Sequence, residues 1–185
     1  MIDIDLSKLE AAEGELKGES DRAAAIVGAS IIESQLEDLL TKAMIPDAQT
    51  APLFDGYGPL STLSAKISII ESFGFLPKDI CKDLHLLRKI RNEFAHQHGG
   101  LSFDSPKISA WVSTFGCLGI MRGQLQEYKT DPESWSVVQE RGWNKPRRQF
   151  DITVSWLSIH IASRLKSLTS AQPLPDEYSQ WKKET

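Results

Sequence analysis

The chain has 185 residues, of which 41% are apolar and 25% charged, the ordinary composition of a globular protein with one core. Its net charge of −4 argues against binding nucleic acid through bulk electrostatics, which requires clustered Lys and Arg. The two cysteines, Cys81 and Cys117, exclude a disulfide framework and lack metal-ligand spacing, so neither a metal nor a cofactor is expected. Residues 1–20 do not form a signal peptide, and no apolar run is long enough to cross a bilayer, which predicts a cytoplasmic protein without a membrane role.

The N-terminal half predicts three helices and one loop. Residues 1–18 are short and charged, with Gly14 as an interruption, and predict a peripheral helix. Residues 19–44 follow a suitable N-cap, Ser20, with apolar side chains at helical spacing, and predict a long core helix whose small residues allow close helix packing. The segment IPDAQTAPLFDGYGPL is rich in Pro and Gly yet apolar, and predicts a loop that packs back on the domain. The next helix, STLSAKISIIESF, ends at Gly74.

The helix predicted from about Pro77 to His96 contains a polar anomaly. Its apolar residues recur at intervals of four and three, the spacing of one helix face. Arg91 stands in that stripe where Leu or Ile is expected. A neighbouring polar stripe contains His85, Arg88 or Lys89, Asn92 and His96. A guanidinium in an apolar stripe requires a partner or a polar cleft, because burying it alone is unfavourable.

The C-terminal half predicts a broken helical region and then a regular helix. Gly116, Gly119 and Gly123 interrupt the region that begins at Pro106. KPRR at 145–148 is the one compact basic patch; it is interpreted as a solvated edge, with RNA or an acidic partner as the alternative. The last helix repeats apolar residues from Phe150 to Leu168, and residues 171–185 form a surface tail. With no strand alternation, the chain is predicted to be an all-α, single-domain bundle of about five main helices over residues 19–170.

Arg91, Asn92 and His96 form the predicted site. Successive helix residues are about 100° apart, so Asn92 and His96 stack on one face, and the long Arg91 side chain covers the offset. In a functional interpretation, His96 is a general acid or base, Arg91 stabilises negative charge on a phosphate, and Asn92 orients a hydroxyl or the imidazole. In the structural alternative, Arg91 and Asn92 bond to carboxylates or loop carbonyls and His96 caps the helix. The predicted supporting residues are Asp21, Arg22, Glu33, Asp55 and Arg88, with the three carboxylates as candidate partners of Arg91.

Four motifs resemble the mannitol operon repressor family. They are ESDRAAAIVGASIIESQLEDLL, LFDGYGPLSTLSAKI, DLHLLRKIRNEFAH and LSFDSPKI, in that order within residues 19–108. The resemblance implies an all-helical fold and a transcriptional regulator, of repressor type, without a recognisable DNA-binding motif. It therefore implies control through a protein partner or a homodimer, and direct binding to duplex DNA is not expected.

The same helix also resembles the motif of HEPN-domain ribonucleases, in which an Arg is followed directly by a polar residue and, shortly after, by a His. Arg91, Asn92 and His96 match that order. Such proteins are helical bundles, commonly dimeric, whose motif helices face each other around a metal-independent RNA-cleaving site. This resemblance implies that Arg91 and His96 are catalytic, that Asn92 supports them, and that RNA is the substrate. A repressor-type regulator is thus the first hypothesis and a HEPN-type ribonuclease the alternative.

Overall fold

The computed structural model describes Gly14, residues 16–46, 50–97, 99–120, Gly142 and residues 144–172. Throughout these residues the regular structure is helical, which confirms the all-α fold. Residues 1–13, which hold most of the predicted peripheral helix, and residues 173–185 of the predicted tail lie outside the described part. The helices are α1 (Asp21–Ala43), α2 (Ala51–Phe54), α3 (Leu63–Ser72), α4 (Lys78–His96), α5 (Pro106–Val112) and α6 (Pro146–Ser167). In this part of the chain no helix is both long and apolar enough to cross a membrane.

The long helix α1 forms the centre of the bundle and contacts α3, α4 and α6. Ser20 caps it as predicted, since its side-chain oxygen accepts a hydrogen bond from Ala23 N at 3.2 Å. The predicted close approach occurs at Gly28. A Cβ there would lie 3.0 Å from Val154 and 3.2 Å from Phe150, so α6 packs directly on the α1 backbone.

The segment predicted as a loop between α1 and α3 contains one short helix, α2, which the sequence pattern did not reveal. Four residues carry no helical periodicity, and so short a helix is stable only through its packing. Phe54 and Leu60 are both buried, which confirms that the segment packs back on the domain. Gly58 allows this path, because a Cβ there would lie 2.4 Å from the carbonyl oxygens of Pro52 and Leu53.

Helix α4 carries the predicted apolar stripe and contacts α1, α3, α5 and α6. The stripe's Ile80, Leu84, Leu87 and Phe94 are buried, whereas Arg91 is only half-buried. Ile90, one residue earlier, is fully buried, so the core-facing side of α4 turns slightly away from Arg91. Near the C-terminus of α4 the Phe94 ring contacts the Phe103 ring, which contacts the Phe150 ring, in tilted arrangements with centroid distances of 4.9 Å and 4.8 Å.

The helical region after Pro106 is broken, as predicted, but the break precedes the first glycine. Helix α5 ends at Val112, and residues 116–120 are helical again. The buried carboxylate of Asp83 caps that second start, accepting hydrogen bonds from Gly116 N at 2.8 Å and Cys117 N at 3.1 Å. Burial raises the pKa of Asp83, although the two backbone N–H donors oppose that shift. Residues 121–128, including Gly123, lie outside the described part.

Candidate functional site

The C-terminal end of α4 is held in a defined position by its neighbours. The backbone N–H of Gln97 donates to Glu93 O at 3.1 Å, and the guanidinium of Arg22 donates to the carbonyl of Gln97. Both interactions supply hydrogen-bond partners to backbone carbonyl groups at the end of the helix, where intrahelical partners run out. Gly99 and Gly100 then adopt positive φ angles of 84° and 71°, so the chain turns back and α5 packs against α4.

An open groove of about 600 Å³ lies between α4 and α5, and we call it the α4–α5 groove. Two adjacent rows on α4 line one side, each with residues four apart, so that their side chains stack along the helix. A third row with the same spacing comes from α5. The lining residues are Arg88, Asn92 and His96, then Lys89, Glu93 and Gln97, and on the other side Lys107 and Trp111.

The groove is predominantly cationic. Lys89 Nζ lies 4.0 Å and Lys107 Nζ 5.0 Å from the centroid of the Trp111 ring, both within cation–π distance. Lys107 Nζ also lies 2.7 Å from Glu93 Oε1, which accepts a second hydrogen bond from Gln97. The lining thus contains three permanently positive side chains and a single carboxylate.

Among the three cations that line the groove, Arg88 has the fewest interactions with the described residues. Its side chain is half-buried, and its Nε is fully buried without a hydrogen-bond partner in the part of the chain that the structure describes. A buried N–H donor that lacks a partner is unfavourable and rare in folded proteins. Arg88 was predicted as a supporting residue, and the structure places it directly in the wall of the groove.

The three residues of the predicted site lie close together but have unequal access to the groove. Asn92 and His96 line it, as expected for residues four apart on one helix face. Arg91 lies beside Asn92, and its Nη1 donates to Asn92 Oδ1 at 3.1 Å. The guanidinium therefore reaches the groove only through Asn92, since Arg91 does not contribute to the lining.

The three carboxylates predicted as candidate partners of Arg91 do not pair with it in the structure. Asp21 accepts from Phe103 N at 2.9 Å and binds Arg147 at 3.3 Å. Glu33 pairs with the buried Lys66 at 3.2 Å, and Asp55 is exposed at the end of α2. Arg91 pairs with Asn92 instead, which corrects the expectation of an ion pair. Arg22, another predicted supporting residue, binds the C-terminal end of α4 through the carbonyl of Gln97.

The basic patch KPRR is not simply the solvated edge that the sequence indicated, because Arg147 is engaged in a network of its own. Its guanidinium binds Asp151 at 2.9 Å and Asp21 at 3.3 Å. It also donates to the carbonyl oxygens of Leu16 at 2.6 Å and Glu19 at 2.9 Å. This network fixes the start of α6 against the start of α1.

The chemistry available in the described residues is limited. No three side chains of His, Cys, Asp or Glu in that part of the chain are arranged to hold a metal ion. Burial raises the pKa of the Cys117 thiol to about 11, and burial together with nearby Glu71 raises the pKa of Cys81. Both thiols therefore stay protonated at neutral pH and are poor nucleophiles. Among the described residues, the α4–α5 groove has the character of a ligand-binding site.

Comparison with known proteins shows the family of this chain. A family model described as "MtlR: Mannitol repressor" matches residues 25–169. This chain belongs to the mannitol repressor family. It is thus a regulator of repressor type, as the sequence motifs implied, and all the residues that line the groove fall within the matched range.

A structural comparison gives the same fold for this mannitol repressor family member. A chain in the X-ray structure of the MtlR–HPr complex from Escherichia coli is similar, with a TM-score of 0.64 and 20% sequence identity. The similarity covers 84% of this chain and 99% of that chain. A search of curated proteins gave no match.

Sequence reasoning missed four groove residues of this family member, namely Glu93, Gln97, Lys107 and Trp111. It named Lys89 only as an alternative to Arg88, whereas both line the groove. The residues on α4 had a detectable signal, because Lys89, Glu93 and Gln97 are four apart and form a row beside the predicted one. Lys107 and Trp111 had no such signal, since only the packing of α5 against α4 makes them part of the same surface.

Proposed function

We propose that this repressor-type regulator acts in the cytoplasm by binding a protein partner through the α4–α5 groove, and that HPr is the first partner to test. The groove carries the proposal: three cations and a tryptophan line an open cavity on a chain whose net charge is −4. Tryptophan and arginine, both present in the groove, are among the side chains that most often dominate the binding energy of protein interfaces. The partner is chosen because the structurally similar MtlR chain comes from a complex with HPr.

The test is calorimetry with purified HPr and four forms of the chain. We expect wild type to bind HPr and Trp111→Ala and Lys107→Glu to bind at least about tenfold more weakly, the effect of losing a central interface contact. Lys82→Glu is the matched control, because Lys82 is also a lysine but lies on α4 outside the groove, where its side chain is 76% exposed. Equal binding by all four forms would remove the groove from the proposal, and no binding by folded wild type would remove HPr.

Metal-independent RNA cleavage is the second candidate function. The observation in its favour is that Asn92 and His96 share the groove and that Arg91 lies within hydrogen-bond distance of Asn92. In this proposal His96 transfers protons, Arg91 stabilises charge on the reacting phosphate, and Asn92 links the two.

The test is cleavage of single-stranded and transfer RNA in EDTA. His96 is exposed, so His96→Ala is expected to fold normally and to lose cleavage, and Arg91→Gln to lose most of it. Lys82→Gln should cleave like wild type. Intact RNA after incubation with folded wild type, or equal cleavage by His96→Ala, would reject the ribonuclease candidate.

A further inference from the structure

The charges that line the α4–α5 groove do not balance. Arg88, Lys89 and Lys107 are permanently positive at neutral pH, and Glu93 is the one carboxylate among the lining residues. Glu93 is engaged with Lys107 at 2.7 Å, whereas Lys89 contacts the Trp111 ring. Two positive charges, those of Arg88 and Lys89, therefore remain without a carboxylate in the groove. A bound ligand with two negative charges would compensate them.

Hydrogen-bond donors besides the lysines also line the groove. Arg88 is one of the lining residues, although its Nε atom is itself buried and has no hydrogen-bond partner in the described part of the chain. The amide of Asn92 and the imidazole of His96 face the same cavity, four and eight residues further along α4. Convergent donors with little competing negative charge are typical of an oxyanion site, and the planar guanidinium fits phosphate oxygens particularly well.

We propose that the α4–α5 groove binds a phosphate monoester, with Arg88 and Lys89 on the phosphate and Lys107 at its edge. A monoester carries a charge of about −1.5 to −2 at pH 7, which matches the two uncompensated cations. A carboxylate or a phosphodiester group carries one charge and leaves one cation unmatched. The volume of about 600 Å³ exceeds that of a phosphate group, so the groove also accommodates the organic part of the ligand.

The binding test uses the full chain alone, without a partner protein, so that its outcome is separate from that of HPr binding. The probe is glycerol 3-phosphate, with glycerol as the uncharged control, and the readouts are calorimetry and tryptophan fluorescence. We expect saturable binding of glycerol 3-phosphate only. The fluorescence change should be lost in Trp111→Phe while calorimetric binding persists, because the lysines on the Trp111 ring move when the anion binds.

Charge variants then assign the site. Arg88→Gln and, on the exposed side, Lys107→Gln should raise Kd for glycerol 3-phosphate, by about tenfold or more for Arg88, the ordinary effect of losing a charged hydrogen bond. Glu93→Gln should lower Kd several-fold, because it removes the competing carboxylate. Lys82→Gln, a charge change on the same helix outside the groove, should leave Kd unchanged. This opposite response of Arg88 and Glu93 distinguishes a local site from general attraction to a cationic surface.

Two further probes identify the source of the phosphate. The first probe is a phosphoserine peptide, with the unphosphorylated peptide as its control. If the phosphoserine peptide binds more tightly than both its control and glycerol 3-phosphate, the monoester belongs to a protein. If glycerol 3-phosphate binds more tightly, the monoester belongs to a free small molecule. The proposal is overturned if folded wild type does not bind either monoester, or if Arg88→Gln and Lys107→Gln both bind like wild type. It is also overturned if RNA with dephosphorylated ends binds more tightly than both monoesters in an Arg88-dependent manner.

Discussion

Arg147 on α6 and Arg88 on α4 are both half-buried, yet their surroundings differ completely. Arg147 binds Asp21 and Asp151 and donates to two backbone carbonyls, so its donors are used within the fold. Arg88 borders the α4–α5 groove, and its Nε has no partner in the described residues. The same type of side chain is thus fully engaged within the fold at one place, and lines an open groove with one donor unpaired at the other. Neighbouring acceptors, and not residue type, make the difference.

The largest effect that separates the two arginines is on stability. Arg147→Met should lower the free energy of unfolding by about 3 kcal/mol, because it leaves two carboxylates without their shared cation. Arg88→Met, which removes a buried donor that lacks a partner, should be neutral within about 1 kcal/mol or stabilising. Urea denaturation of both variants beside wild type measures this. Equal destabilisation by the two substitutions would show that Arg88 is as structural as Arg147.

Asp83, like Arg147, bonds to other groups within the fold, and its buried carboxyl group makes the free energy of unfolding depend on pH. Burial raises its pKa, so between the unfolded value of about 3.9 and the higher folded value the native state binds more protons than the unfolded state. Its contribution to stability therefore decreases as pH rises through that window and is constant above it. Asp83→Asn retains an acceptor for only one of the two capping N–H groups. It should therefore lower the free energy of unfolding by about 1 kcal/mol near pH 7.

Denaturation of wild type and Asp83→Asn from pH 3.5 to pH 7 checks the sign. The stability advantage of wild type should be larger at the acidic end and shrink toward neutral pH. An advantage that instead grows with pH would mean that the two backbone N–H donors outweigh burial in setting the pKa of Asp83. Asp104→Asn is a matched control, because that carboxylate is exposed.

A comparably small effect on stability is expected at Arg22, whose guanidinium bonds within the fold, like that of Arg147, but holds the end of α4 that lines the groove. Arg22→Ala removes the donor to Gln97 O and should cost about 1 kcal/mol of stability. Its main consequence should be faster amide hydrogen exchange in the last turn of α4, with little change near Lys78. Exchange that rises uniformly along α4, or not at all, would contradict a local role for Arg22 at the groove.

The helices that the sequence predicted well are those whose apolar residues repeat over several turns. Helices α1, α3, α4 and α6 are of this kind, and the prediction of a long α4 with Asn92 and His96 on one face agrees with the structure. The sequence left open whether Arg88 or Lys89 joins them, and both line the groove. Helix α2 was missed because four residues have no period to detect. The break after Val112 was expected, but its position depends on the cap from Asp83, which is distant in sequence.

At the candidate site, local spacing alone determined that Asn92 and His96 share one face of α4, since helix geometry requires it. The same spacing permitted Arg91 to converge with them, and only packing turned Ile90 into the core and left Arg91 beside Asn92. The partners of Asp21, Glu33 and Arg147, and the arrival of Lys107 and Trp111 opposite α4, were likewise decided by tertiary structure. The physical reason is that a helix fixes the angles between its own side chains, whereas contacts between helices depend on how the whole core packs.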